Sequence, residues 1–147
     1  MNKINLGFTL IEMMITVSVL AILMAIAVPN YNNTLNSIQL NRDYKNLLSV
    51  LSTARNQALT LKQDVTVQLN SDDQDTATTF HWKAKQKNIY QESSSVLSLV
   101  FTSIGTVKNF NASQSTLTIC NSYLKKSKRL QVTRIGSITS LADGSCT

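Results

Sequence analysis

The chain has 147 residues, enough for one domain with a helical extension and too few for two ordinary domains with separate cores. Its formal charge is +6, from 14 Lys and Arg against 8 Asp and Glu, and 43% of its residues are hydrophobic. With one histidine and two cysteines, the inventory is thin for a metal centre or for a set of convergent catalytic groups.

The hydrophobic residues are unevenly spread. Met1 to Gly7 form a short polar, basic leader, and Phe8 to Val28 form an almost wholly apolar run ended by Pro29. At 1.5 Å per residue, a helix of about 21 residues crosses roughly the 30 Å of a bilayer's hydrocarbon core. Lys3 precedes the run with no acidic residue beside it, which keeps the N-terminus cytoplasmic and exports the rest. Met24-Ala25-Ile26-Ala27 offers a secretory signal cleavage site, but a Gly directly before the apolar run favours cleavage there, which leaves the helix on the mature chain. Glu12 is anomalous, because an ionisable side chain inside an apolar span costs about 2.5 to 3.5 kcal/mol on insertion scales. One reading has it snorkel to water; the other has it pair with the new α-amine of Phe8 on a neighbouring subunit, one helical turn away.

The string GFTLIEMMITVSVLAILMAIAVPNY resembles the N-terminal segment of type IV prepilins and type II secretion pseudopilins. The resemblance implies cleavage between Gly7 and Phe8 by an aspartic prepilin peptidase, N-methylation of Phe8, and use of the Glu12 carboxylate in assembly. Pro29 matches the proline at which pilin helices bend or melt, in keeping with its missing backbone donor. The expected organisation is a leader over 1–7, a transmembrane and assembly helix over 8–29, and a soluble head over 30–147.

Beyond Pro29, Leu40, Tyr44, Leu47, Leu51, Ala54, Ala58 and Leu61 step by three and four, which predicts a helix packed by one face and running to about Lys62. Alternating, β-branched runs then predict strands at 65–69, 78–83, 96–101, 115–120 and 130–135, with a short one at 137–140. Turn residues between them favour antiparallel pairing. The fold class is α+β, a long N-terminal helix on an antiparallel head, with no internal repeat. Ala54-Arg55-Asn56-Gln57-Ala58, Val65, Trp82, Phe101, Gly105, Thr118-Ile119-Cys120 and Val132-Thr133-Arg134-Ile135-Gly136 follow the layout of the FimT/FimU and GspH minor pilins. That resemblance implies a minor component near a filament tip.

Cys120 and Cys146 fall in the exported part, where a disulfide is expected. It would close a loop of about 25 residues and contribute roughly 3 kcal/mol. Lys125, Lys126, Lys128, Arg129 and Arg134 cluster late in the chain, either as a solvated face or as a surface for phosphates, with Tyr123 available to stack on a base. Some FimT-type pilins resemble this chain and bind DNA through a Gly-Arg-X-Arg element; the matching stretch here is Gly136-Ser137-Ile138-Thr139, which lacks both arginines. His81 reads as a surface or strand residue, and Asp72, Asp73 and Asp75 as a solvated turn, since the Gly and distal Glu of a calcium loop are missing. No cofactor and no enzymatic activity are expected. The expected partners are other major and minor pilins, prepilin peptidase, the inner membrane and, through the basic C-terminal region, DNA. The expected location is the inner membrane with the head periplasmic, and then the filament surface. Three roles are open at this point: a minor pilin supporting pilus assembly, a DNA-uptake pilin, and a GspH-type pseudopilin of type II secretion.

Overall fold

A computed structural model describes residues 8–92, 96–112 and 115–146. It divides into a unit ending at Leu35 and a unit beginning at Asn36. Helix α1, Leu10–Leu61, contributes to both, and Pro29 lies inside it. In the first unit the helix is long and apolar enough to cross a membrane, and none of its most apolar stretch is buried within the chain. Leu10, Ile15, Leu20 and Ile26 are all exposed. Polar side chains in this unit bond back to the preceding turn: Thr16 Oγ1 donates to Met13 O, and Ser18 Oγ to Met14 O. Beside the proline, Asn30 Nδ2 donates to Ile26 O at 3.3 Å.

In the second unit α1 buries Asn36, Leu40, Asp43, Leu47, Leu51, Ala54 and Ala58, the stripe that a 3.6-residue period places on one face. The two alanines keep that face low, so backbone from the sheets can approach it. Tyr44 is only half-buried and Leu61 is exposed, so the anticipated stripe fades at the helix end.

Eight strands follow: β1 Val65–Leu69, β2 Thr79–Trp82, β3 Ile89–Gln91, β4 Ser98–Phe101, β5 Thr116–Asn121, β6 Lys126–Val132, β7 Ile138–Ser140 and β8 Gly144–Ser145. One sheet has the order β2-β1-β4; the other runs β3-β5-β6-β7, with β8 also paired to β6. Val65, Val67 and Phe101 of the first sheet and Leu117, Ile119, Leu130 and Val132 of the second meet the α1 stripe in a single core. Burying each such side chain stabilises the fold by about 1.5–3 kcal/mol.

The fold class is the anticipated one, a long helix on a β head, with one difference in pairing. β2 runs parallel to β1, with Thr66 opposite Thr79 and Leu69 opposite Trp82. The polar segment 70–78 carries the chain back to the start of β1 instead of closing a hairpin, and Thr66 N donates to Thr78 O at 2.8 Å. β6 also starts four residues earlier than its apolar pattern indicates, because the register with β5 extends through Asn121 opposite Lys126. Pairing there outweighs the poor strand preference of a lysine-rich stretch.

Candidate functional site

The N-terminal junction is built from Phe8 to Glu12; Gly7, the other half of the expected cleavage site, lies outside the described residues. Phe8 and Thr9 are not helical, and the helix begins at Leu10. Thr9 N and Thr9 Oγ1 both donate to Glu12 Oε2 at 2.9 Å, while Glu12 N donates to Thr9 Oγ1 at 3.3 Å. This is a reciprocal capping box, with Thr9 at the N-cap and the acid three residues on, where it also meets the positive end of the helix dipole. The Thr-Leu-Ile-Glu string carries the signature, which the sequence reading passed over in favour of a partner on another subunit. Within one chain, then, the Glu12 carboxylate already has two donors.

At the other end of the chain, Cys120 on β5 and Cys146 just after β8 form a disulfide with Cα atoms 5.7 Å apart. Cys146 N also donates to Lys125 O, so the tail is held against the β5–β6 hairpin. That hairpin is organised by Asn121, whose Oδ1 accepts from Tyr123 N and Leu124 N at 3.0 and 2.9 Å.

The five cations do not form one surface. Lys128 Nζ sits 3.0 Å from Asp143 Oδ2 and 5.7 Å from the centroid of the Tyr44 ring. Arg129 donates from Nε and Nη2 to Ala142 O at 3.1 and 3.0 Å. Lys125 and Lys126 are exposed at the hairpin, beside an exposed Tyr123. Arg134 is exposed in the turn beyond the other end of β6, some ~25 Å away along an extended chain. What is compact in sequence is strung along a strand in space.

His81 lies on β2, but its side chain is 9% exposed, so it is a strand residue and not a surface one. Asp75 Oδ1 accepts from His81 N at 2.7 Å, which pins the crossover segment to the strand, and Asp73 Oδ2 accepts from the Ser71 hydroxyl. An open cleft of about 770 Å³ separates this segment from the turn after β2, with Asp72 and Asp73 among its acidic lining residues and Lys83 and Lys87 among its basic ones. Among the described residues, no group of three or more His, Cys, Asp or Glu side chains is placed to hold a metal ion.

Two residues that the sequence reading did not single out as functional organise the head. Asp43, buried on α1, accepts from Lys85 N at 3.2 Å and so fixes the turn joining β2 to β3. Desolvation raises its pKa above the ordinary carboxylate value, against the opposing pull of the Lys85 and Gln86 backbone donors. The folded chain therefore binds this proton more tightly than the unfolded chain does. In the window between the ordinary and the raised value, the Asp43 contribution to stability falls as pH rises. The melting temperature of the wild type relative to Asp43→Asn should accordingly decline as pH climbs from acidic toward neutral, and a flat or rising difference would contradict the assignment.

Arg55 is the second. Its Nε donates to Gly105 O and its Nη2 to Ile135 O, both at 3.2 Å, bridging two turns that are adjacent only in space. Those turns are Thr102-Ser103-Ile104-Gly105-Thr106 and Thr133-Arg134-Ile135-Gly136-Ser137, the same Thr-x-Ile-Gly-(Thr/Ser) pattern twice. This short repeat corrects the expectation that the chain has none.

Residues 2–28 match the prokaryotic N-terminal methylation motif. No curated protein matches the chain in sequence. In structure it is similar to the type IV minor pilin FimU of Pseudomonas aeruginosa, solved by crystallography. The TM-score is 0.55 at 18% identity, over 76% of this chain and 97% of that one.

Proposed function

We propose that this chain, which joins the N-terminal segment of a type IV prepilin to a head with the FimU fold, is a minor pilin that enters the filament at or near its tip and supports assembly. The observation that carries the reading is the methylation motif at residues 2–28, running directly into a membrane-length apolar helix. On this reading prepilin peptidase cuts between Gly7 and Phe8, Phe8 is N-methylated, and the chain waits in the inner membrane with its head periplasmic until it is drawn into a filament with other pilins.

Glu12 then has two successive partners. In the isolated chain its charge is shared with Thr9, which lowers the cost of carrying it in the bilayer. In the filament the α-amine of a neighbouring Phe8 offers a full opposite charge in a medium of low dielectric constant, a stronger partner than two neutral donors. Glu12→Ala should leave the chain cleaved and in the membrane fraction, with its recovery in sheared filaments reduced. Undiminished recovery would count against the role.

DNA uptake has less support from the arrangement of charges, because Lys128 and Arg129 already have partners within the head. A pseudopilin of type II secretion would share the same processing and shape; the companion genes of its operon discriminate between the two.

A further inference from the structure

The twin turns are built alike. Gly105 N donates to Thr102 O and Gly136 N to Thr133 O, each at 2.8 Å, and both glycines have positive φ, 76° and 74°. Each threonine hydroxyl closes its turn further: Thr102 Oγ1 meets Thr106 Oγ1 at 2.7 Å, and Thr133 Oγ1 accepts from Ser137 N at 3.1 Å. The turns touch, since a Cβ on Gly136 would come within 2.0 Å of Gly105 O. Val107 N donates to Arg134 O, and Arg55 clamps the pair from α1.

At the same position of each turn stands an isoleucine that the head leaves in water. Ile104 is 74% exposed and Ile135 67%, and Leu59, itself 44% exposed, lies against Gly105. Turn geometry asks for Gly at the next position and not for a β-branched apolar residue here. A rigid mount with two matched apolar side chains is the anatomy of a contact knob, and its surroundings are basic: Arg134 is exposed within the second turn, and Lys62 is exposed at the end of α1.

We propose that the Ile104 and Ile135 turns seat in the head of a neighbouring pilin-type subunit, at an apolar hollow edged by carboxylates. The size of the patch selects this occupant. Three aliphatic side chains fall far short of the roughly 800 Å² per partner that a free-standing complex needs, so the partner must be held beside the knob by other contacts. A subunit whose helix is packed in the same filament supplies that tether, and the raised effective concentration makes a small contact sufficient. The inference thus rests on the minor-pilin reading. Arg134 and Lys62 set the carboxylate requirement by charge complementarity.

The test uses the full-length chain in the cells that make the filament. A benzophenone amino acid at position 135 should cross-link, in sheared filaments, to a carboxylate-flanked peptide of another pilin subunit identified by mass spectrometry. Lipid adducts, adducts confined to non-pilin proteins, or none at all would overturn the contact. Ile104→Asp/Ile135→Asp should lower the ratio of this chain to the bulk subunit by about tenfold, the effect expected when one buried aliphatic contact is lost. Arg134→Glu should lower it less, and Lys125→Glu, on the distant hairpin, should leave it unchanged. Because both isoleucines are exposed, the double variant should melt as the wild type does. Wild-type recovery together with equal recovery of the double variant overturns the contact alone. Absence of the wild-type chain from filaments overturns the minor-pilin reading and this inference with it.

Discussion

Gly136→Ala should destabilise the head by about 3–5 kcal/mol, the sum of a left-handed backbone strain of about 1–3 kcal/mol and a steric cost of about 1–3 kcal/mol. Gly136 has φ of 74°, and an added Cβ would lie 2.0 Å from Gly105 O and 2.9 Å from Arg55 Nε. A carbonyl oxygen in a neighbouring turn cannot swing away as a side chain can, so the two turns must part, and the Arg55 clamp must lengthen with them. The other glycines provide the scale. Gly105→Ala meets the flexible end of Leu59 at 3.1 Å and should cost little beyond its own backbone strain, while Gly144→Ala meets the Ser127 hydroxyl and has no positive φ to strain. Chemical denaturation should therefore rank the losses Gly136 > Gly105 > Gly144. A Gly136→Ala variant within experimental error of the wild type would mean that the turns do not touch.

Cys120→Ala/Cys146→Ser should cost about 3.5 kcal/mol, the chain-entropy value for a loop with a sequence separation of 26. Removing the pair together avoids stranding a single thiol, which matters because Cys120 is fully buried in β5. The loss should be largest in the tail. β8 has only two residues and pairs only at Lys126 and Ser127 of β6, so the disulfide is the strongest restraint on the last residues. In the double variant, amide exchange should accelerate first over 141–146. The Asp143 partner of Lys128 and the Ala142 carbonyl under Arg129 would then be released, leaving both cations free. If reduction changes neither stability nor tail exchange, β8 is held by its backbone pairing alone. A gain in polyanion binding by the reduced chain would show that the tail, and not the sequence of cations, limits that activity.

Much of the head was legible because its signals repeat. Leu40, Leu47, Leu51, Ala54 and Ala58 announce a buried helix face by spacing alone, and all five are buried. Val65, Val67 and Leu69 announce β1 in the same way. The polar residues that organise the head carry no such signal. Asn36 and Asp43 sit in the stripe at apolar positions, and only partners far along the chain explain them: Asn121 Nδ2 at 3.3 Å from Asn36 Oδ1, and the Lys85 amide on Asp43. A buried polar group is tolerated where its hydrogen bond is supplied, and that supply is a property of the fold.

The sequence by itself determined the N-terminal half of this protein: a Gly-Phe junction, a capping box in Thr9 and Glu12, and a run of apolar residues of bilayer length. Each of these depends on residues within one or two helical turns, or on hydrophobicity summed residue by residue, so no distant contact is needed to see it. Tertiary structure decided what the head presents. Strand register stretched the five cations along β6 and past its end, gave Lys128 and Arg129 partners in the tail, and made β2 parallel to β1. It also set Gly105 against Gly136, 31 residues apart in number, so that one arginine holds both turns and two isoleucines face outward together. Contacts of that kind follow from pairing and packing across the whole chain, which local pattern does not encode.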